Sequence, residues 1–100
     1  MDQRDAINKG KAYKQLLSRY FPFSQVFLFG SYAKGNFHEN SDIDIAIVVD
    51  HAEGDYFAIQ PFLFKLRRQI DSRIEPVLIE REHDAAGFLD EIIKSGIEIK

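Results

Sequence analysis

The chain has 100 residues, 45% hydrophobic, 29% charged and 13% aromatic, with no cysteine and a formal net charge of -3. This makeup predicts one folded domain over residues 1–100 and excludes disulfides, thiolate nucleophiles and cysteine-based metal centres. The negative charge argues against a surface that tracks a nucleic-acid backbone, while the charged start MDQRDAINKG and the short aliphatic run over residues 45–49 argue against secretion and membrane insertion, leaving a cytoplasmic setting as the expectation.

Ala6, Gly10, Tyr13, Leu17 and Tyr20 recur at spacings of four, three, four and three, which predicts a helix over residues 2–20 that Pro22 stops. Val26, Phe27, Leu28 and Phe29 form a continuous apolar run ending at Gly30, the pattern of a strand buried on both faces. The turn-rich SYAKGNFHENS leads into DIDIAIVVD, predicted as a central strand. Tyr56, Ile59, Leu63, Leu66 and Ile70 predict an amphipathic helix over residues 55–70, with Pro61 as a kink or in its first turn.

RIEPVLIE reads as a third strand with Glu75, Val77 and Ile79 on one face, and Pro76 argues for an edge position or an irregular start. Ala85, Phe88, Leu89, Ile92 and Ile93 predict a helix over residues 83–95 capped by Gly96, before a short last strand over residues 97–99. The fold class expected is α/β: a small mixed sheet of three to four strands with helices packed against it.

Phe29-Gly30-Ser31 ends a strand at a glycine and resumes as a helical turn, whose unpaired N–H groups and serine hydroxyl suit a phosphate. Asp42 and Asp44, one residue apart on a strand, place two carboxylates on one face roughly 6 to 7 Å apart. Such a pair beside a phosphate-binding turn describes a site for a divalent cation and a nucleotide, Mg²⁺ above all. The bland alternative is an ordinary turn and two solvated acids, but like charges at the start of an apolar strand repel and are poor strand formers. Residues 21–60 carry one base against six acids, a balance of -5 that also suits cations. Gly30 to Gly35 has the glycine spacing of a P-loop, but Asn36-Phe37 follows where Lys and Ser or Thr belong, and no G-x-G-x-x-G is present.

The stretch GSYAKGNFHENSDIDIAIVV resembles the G-S-x10-D-x-D signature of the polymerase-beta-type nucleotidyltransferase superfamily, in particular its minimal nucleotidyltransferase branch. The order and length of the elements agree along the rest of the chain, although only residues 29–49 carry the motif. The resemblance implies that Gly30 and Ser31 hold a triphosphate and that Asp42 and Asp44 bind two Mg²⁺ ions. It also implies a third carboxylate on the next strand, which helps bind the metal that lowers the pKa of an acceptor hydroxyl, so that the hydroxyl attacks the α-phosphorus and pyrophosphate leaves. Glu75 is the candidate, longer than the family's usual Asp and followed by Pro76. Asp71 is the alternative, with a helix-end surface role as its competing reading.

Lys34 is placed to reach the triphosphate, or else is a solvated lysine. Ser41 matches the motif and is expected to support the Asp-bearing strand. His38, His51 and His83 have no metal-ligand spacing and receive no role.

A chain of this size is expected to carry nucleotide chemistry without the additional acceptor-binding domain of larger relatives, which points to a macromolecular acceptor. The resemblance implies the antitoxin half of a toxin–antitoxin pair, moving AMP from ATP to a tyrosine of a HEPN-domain ribonuclease toxin. The alternatives are an antitoxin that neutralises by binding alone, and a small-molecule transferase of the aminoglycoside type, for which a homo-oligomer could supply the cleft. Phe57, Pro61 and Phe64, beside Arg67 and Arg68, are expected to be either partner surface or core.

Overall fold

The computed structural model describes residues 1–51, 56–84 and 86–100, without the side chains of Tyr56 and Phe57. Its first helix, α1 (Gln3–Leu17), begins where the sequence supplies a cap. The Asp2 carboxylate accepts the Asp5 N–H at 2.9 Å, and the Asp5 carboxylate accepts the Asp2 N–H at 3.4 Å. The helix ends before Pro22 is reached. Ser18 donates its hydroxyl to the Gln15 carbonyl and the Tyr20 N–H turns back to Leu17, so Tyr20 lies beyond the helix and is 52% exposed instead of continuing the buried stripe. Ala6, Gly10, Tyr13 and Leu17 are buried as the periodicity predicts.

Four strands form one mixed sheet in the order β3-β2-β1-β4: β1 (Gln25–Phe29), β2 (Ile43–Val49), β3 (Ile74–Glu80) and β4 (Ile97–Glu98). β1 runs antiparallel to β2 and β4, whereas β2 and β3 are parallel, with α3 (Tyr56–Arg67) between them in the chain. Alternate residues divide the core between the two faces of the sheet. Val26, Leu28, Ile43, Ile45, Ile47, Val49, Ile74 and Leu78 pack with α1 and α3 in the larger cluster. Phe27, Ala46, Val48 and Ile79 pack with Leu89 and Ile92 of α4 (Phe88–Ser95) in the smaller one, with Phe29 and Val77 against it.

Pro61 lies inside α3, and the helix stops at Arg67, three residues short of the expected end. Leu63 and Leu66 are buried and Ile59 and Ile70 half-buried, while the Tyr56 side chain of the same stripe lies outside the described residues. Pro76 sits on an edge strand as anticipated. The outer rim of that strand is covered by α3: Gln60 donates to the Pro76 carbonyl at 2.9 Å and accepts the Leu78 N–H at 3.3 Å. A side-chain amide thus stands where another strand would pair, which blunts the edge.

The last helix is shorter than the predicted 83–95. Residues 81–83 form a 3₁₀ turn, and the Asp84 carboxylate accepts the Leu89 N–H to start α4 at Phe88. Leu89 and Ile92 are buried as expected, but Phe88 and Ile93 are 42% and 46% exposed, because this small sheet face meets only one side of an eight-residue helix. Ala85, also placed on the stripe, lies outside the described residues.

Gly96 does cap α4, but its backbone is extended and not left-handed, so conformational freedom is not the reason for a glycine there. A Cβ at that position would lie 2.6 Å from the Ile92 carbonyl oxygen and 2.9 Å from that of Leu28. Neither backbone atom can yield cheaply. Gly96→Ala should destabilise the fold by about 2 kcal/mol through overpacking, measured as a lower urea midpoint at unchanged slope.

Candidate active site

The sequence-predicted residues converge at one end of the sheet. Asp44 pairs in register with Phe29 on one side and with Glu75 on the other, so the row Phe29, Asp44, Glu75 crosses three strands. All three belong to the face occupied by α4, since the alternate residues Ile43 and Ile45 enter the opposite cluster. Asp42 is exposed just before the strand begins.

Gly30 follows Phe29 with φ +73, a conformation that L side chains rarely adopt, and a Cβ there would overlap Asp44 Oδ2. Only glycine lets the chain turn this close to the carboxylate. The turn continues as α2 (Ser31–Lys34), whose first N–H groups have no acceptor inside so short a helix. It is anchored from outside: Tyr32 is fully buried and stacked on Phe37 at 4.6 Å, and Gln3 donates to the Tyr32 and Ala33 carbonyls at 2.9 and 3.3 Å. Lys34 is exposed in the last turn of α2.

Ser41 is buried and accepts the His38 N–H at 2.9 Å while its own N–H returns to the His38 carbonyl at 3.0 Å. This closed loop fixes the approach to Asp42 and β2, the supporting position anticipated for it.

Electrostatics separate the two candidates for a third carboxylate. Asp71 is 10% exposed and held by Arg73 at 2.7 Å and Lys9 at 2.9 Å. The Arg73 hydrogen bond above all, with Lys9 adding to it, keeps its carboxyl well below the usual range despite its burial. Its bonds tie α1 to the entry of β3, a structural occupation. Glu75 instead stands beside Asp44 with its side chain 41% exposed.

Burial, and after it the like charges of Asp42 and Glu75, push the Asp44 carboxyl up to about 6. Hard oxygen donors gathered at mutual cost are what a hydrated divalent cation relieves, and Mg²⁺ commonly takes one or two carboxylates and completes its shell with water and phosphate. The Asp42–Asp44 pair fits that pattern. As the side chains stand, no group of three His, Cys, Asp or Glu among the described residues is close enough to hold a metal.

One residue outside the motif contacts Glu75 directly. Arg67, at the end of α3, donates to Glu75 Oε1 at 3.1 Å and to the Ile74 carbonyl at 2.8 Å. Its spacing in the sequence placed it beside a possible partner surface, and the signal there was an arginine within the last turn of a predicted helix, eight residues before the strand acid. Of that surface, Phe64 is half-buried with the Arg67 guanidinium 4.8 Å above its ring, Pro61 and Arg68 are exposed, and the Phe57 side chain lies outside the described residues. No helix of the described residues is long and apolar enough to cross a membrane.

The protein adenylyltransferase MntA of Shewanella oneidensis is 28% identical over 93 residues, covering 93% of this chain and 65% of that protein. The chain therefore spans less than two thirds of that relative. A crystal structure of a toxin–antitoxin with AMP-PNP is 29% identical with a TM-score of 0.67, covering 93% of this chain and 73% of the other. A mutant MntA toxin–antitoxin structure is 26% identical with a TM-score of 0.65, covering 92% and 72%. The profile of the polymerase beta nucleotidyltransferases matches residues 11–100, and the chain belongs to that family.

Proposed function

We propose that the chain transfers AMP from ATP to a tyrosine hydroxyl of a partner protein, a HEPN-family ribonuclease toxin, and so acts as its antitoxin. The observation that carries the reading is the placement of Gly30 against Asp44 and of Glu75 beside it in register. The names of the relatives, an adenylyltransferase and toxin–antitoxin assemblies, support the donor and the kind of partner.

In this reading the Ser31 hydroxyl and the N–H groups of the α2 turn bind the triphosphate, and Lys34 reaches it as a point charge. Asp42 and Asp44 would hold Mg²⁺, with Glu75 as the third acid. Bound Mg²⁺ lowers the pKa of the acceptor hydroxyl and offsets charge on the phosphates. The acceptor oxygen bonds to the α-phosphorus, the bond to the β-phosphate bridging oxygen breaks, and pyrophosphate leaves. Glu75, half exposed on the edge strand, receives the hydroxyl proton or passes it to water. An added AMP places bulk and negative charge on the toxin.

A second reading rests on one specific observation, the Arg67 contact that occupies Glu75. It is an antitoxin that neutralises by binding alone.

Incubation with α-labelled ATP, Mg²⁺ and the partner should label the partner, and the Asp42→Ala, Asp44→Ala pair should reduce the label at least about a thousand-fold, the scale of losing the groups that stabilise transition-state charge. A complex that forms equally well in both proteins, with no label from any of the four nucleotides, would establish the binding-only reading.

The raised Asp44 carboxyl has a consequence for the metal-free protein. Its folded value, about 6, lies above its unfolded value, so ionisation destabilises the fold as pH rises through 6 and costs nothing below about 4. Asp44→Asn should therefore stabilise the chelated protein at pH 8 by about 1 kcal/mol after discounting for solvent screening. Thermal melts at pH 8 and pH 4 check this; an equal gain at both would remove the charge explanation.

A further inference from the structure

Arg67 is fixed by contacts that do not depend on Glu75. Its Nη1 donates to the Ile74 carbonyl, and its guanidinium lies over the Phe64 ring. Gln60, two helical turns earlier, clamps the same edge of β3 through Pro76 and Leu78. The Arg67 Nε is buried without an acceptor among the described residues, so the Ile74, Glu75 and Phe64 contacts must offset a desolvation cost. The result is a cation built into the scaffold at the end of the Phe29–Asp44–Glu75 row. It binds one oxygen of Glu75, Oε1.

We propose that Arg67 is a positioning residue for this site: it holds Glu75 by Oε1, keeps that carboxylate off the Asp42–Asp44 pair in the metal-free protein, and presents the other oxygen toward the acceptor. The inference rests on the transfer reading for its kinetic consequence, and on the chain alone for its effect on metal binding. Two opposite effects follow from removing the guanidinium. The cation site gains a free carboxylate and loses a nearby positive charge, so it binds metal more tightly. Glu75 loses its fixed aim, so transfer slows.

The test uses the full chain with Arg67→Met, Arg67→Lys, Glu75→Gln and the double variant Arg67→Met, Glu75→Gln. In Arg67→Met, Mn²⁺ binding followed by electron paramagnetic resonance should tighten by about three- to ten-fold, the scale of one charge acting across a few ångströms of solvated protein. The rate of AMP transfer at saturating substrates should fall by about ten-fold or more, with KM for ATP unchanged, as for a misaimed group. Arg67→Lys keeps the charge and should return Mn²⁺ affinity close to that of the parent while restoring the rate only in part. In the Glu75→Gln background the rate effect of Arg67→Met should vanish and most of the gain in Mn²⁺ affinity with it.

Unchanged Mn²⁺ affinity in a folded Arg67→Met chain would overturn the proposal, as would a rate loss that persists in the Glu75→Gln background. Faster transfer would overturn the positioning role by making Arg67 an inhibitor. If the parent chain transfers no AMP, the transfer reading fails on its own, and the Mn²⁺ measurements still decide whether Arg67 governs Glu75.

Discussion

The register of β2 is the constraint on which the site depends. Side chains alternate along a strand, so a slip of one residue would carry Asp44 into the larger cluster beneath α1 and α3 and Ile45 onto the α4 face. Ile43, Ile45, Ile47 and Val49 prevent that by filling the larger cluster beneath α1 and α3. Burying these four aliphatic side chains contributes roughly 6–12 kcal/mol to the fold, while charging Asp44 beside two other acids costs about 1–3 kcal/mol. Burial wins by a margin that leaves room for an unfavourable carboxylate. The site is therefore held in place by residues that face away from it.

The placement of cations completes the argument. Asp71 sits between Lys9 and Arg73 and joins two elements of the scaffold, whereas Asp44 meets Asp42 and Glu75 and is raised toward neutrality. Two aspartates of the same type thus carry opposite electrostatic loads. One is compensated inside the fold and contributes stability that is lost as acid protonates it. The other carries a load that its neighbours raise and do not relieve.

Most of this was legible in the sequence. The strands, their burial and the edge position of β3 followed from apolar runs and Pro76, and the Gly30, Ser31, Asp42 and Asp44 constellation from spacing and resemblance. Helix ends were less legible, because they are decided by single hydrogen bonds: the Ser18 cap shortens α1, and the Asp84 bond to the Leu89 N–H delays α4. Neither alters a periodicity that a sequence displays. Arg67 escaped for a different reason. Its meaning lies in a contact across the junction between a helix end and an edge strand, and spacing alone left it beside a supposed partner surface. The φ of Gly96 escaped likewise, since a close backbone approach and a left-handed cap both call for glycine.

The same edge constrains how an acceptor can arrive under the transfer reading. An exposed strand edge is normally the easiest docking place for an extended segment. Here Gln60 occupies the outward carbonyl of Pro76 and N–H of Leu78, and Arg67 occupies the carbonyl of Ile74. Pro76 contributes no N–H at all. An incoming segment therefore finds little backbone to pair with along β3 and has to present its hydroxyl at the end of the sheet, where Glu75 is 41% exposed. That geometry favours a folded partner carrying its own rigid surface over a flexible peptide that would have to be ordered by strand pairing, because the partner then bears no additional entropy cost of ordering at the moment of transfer.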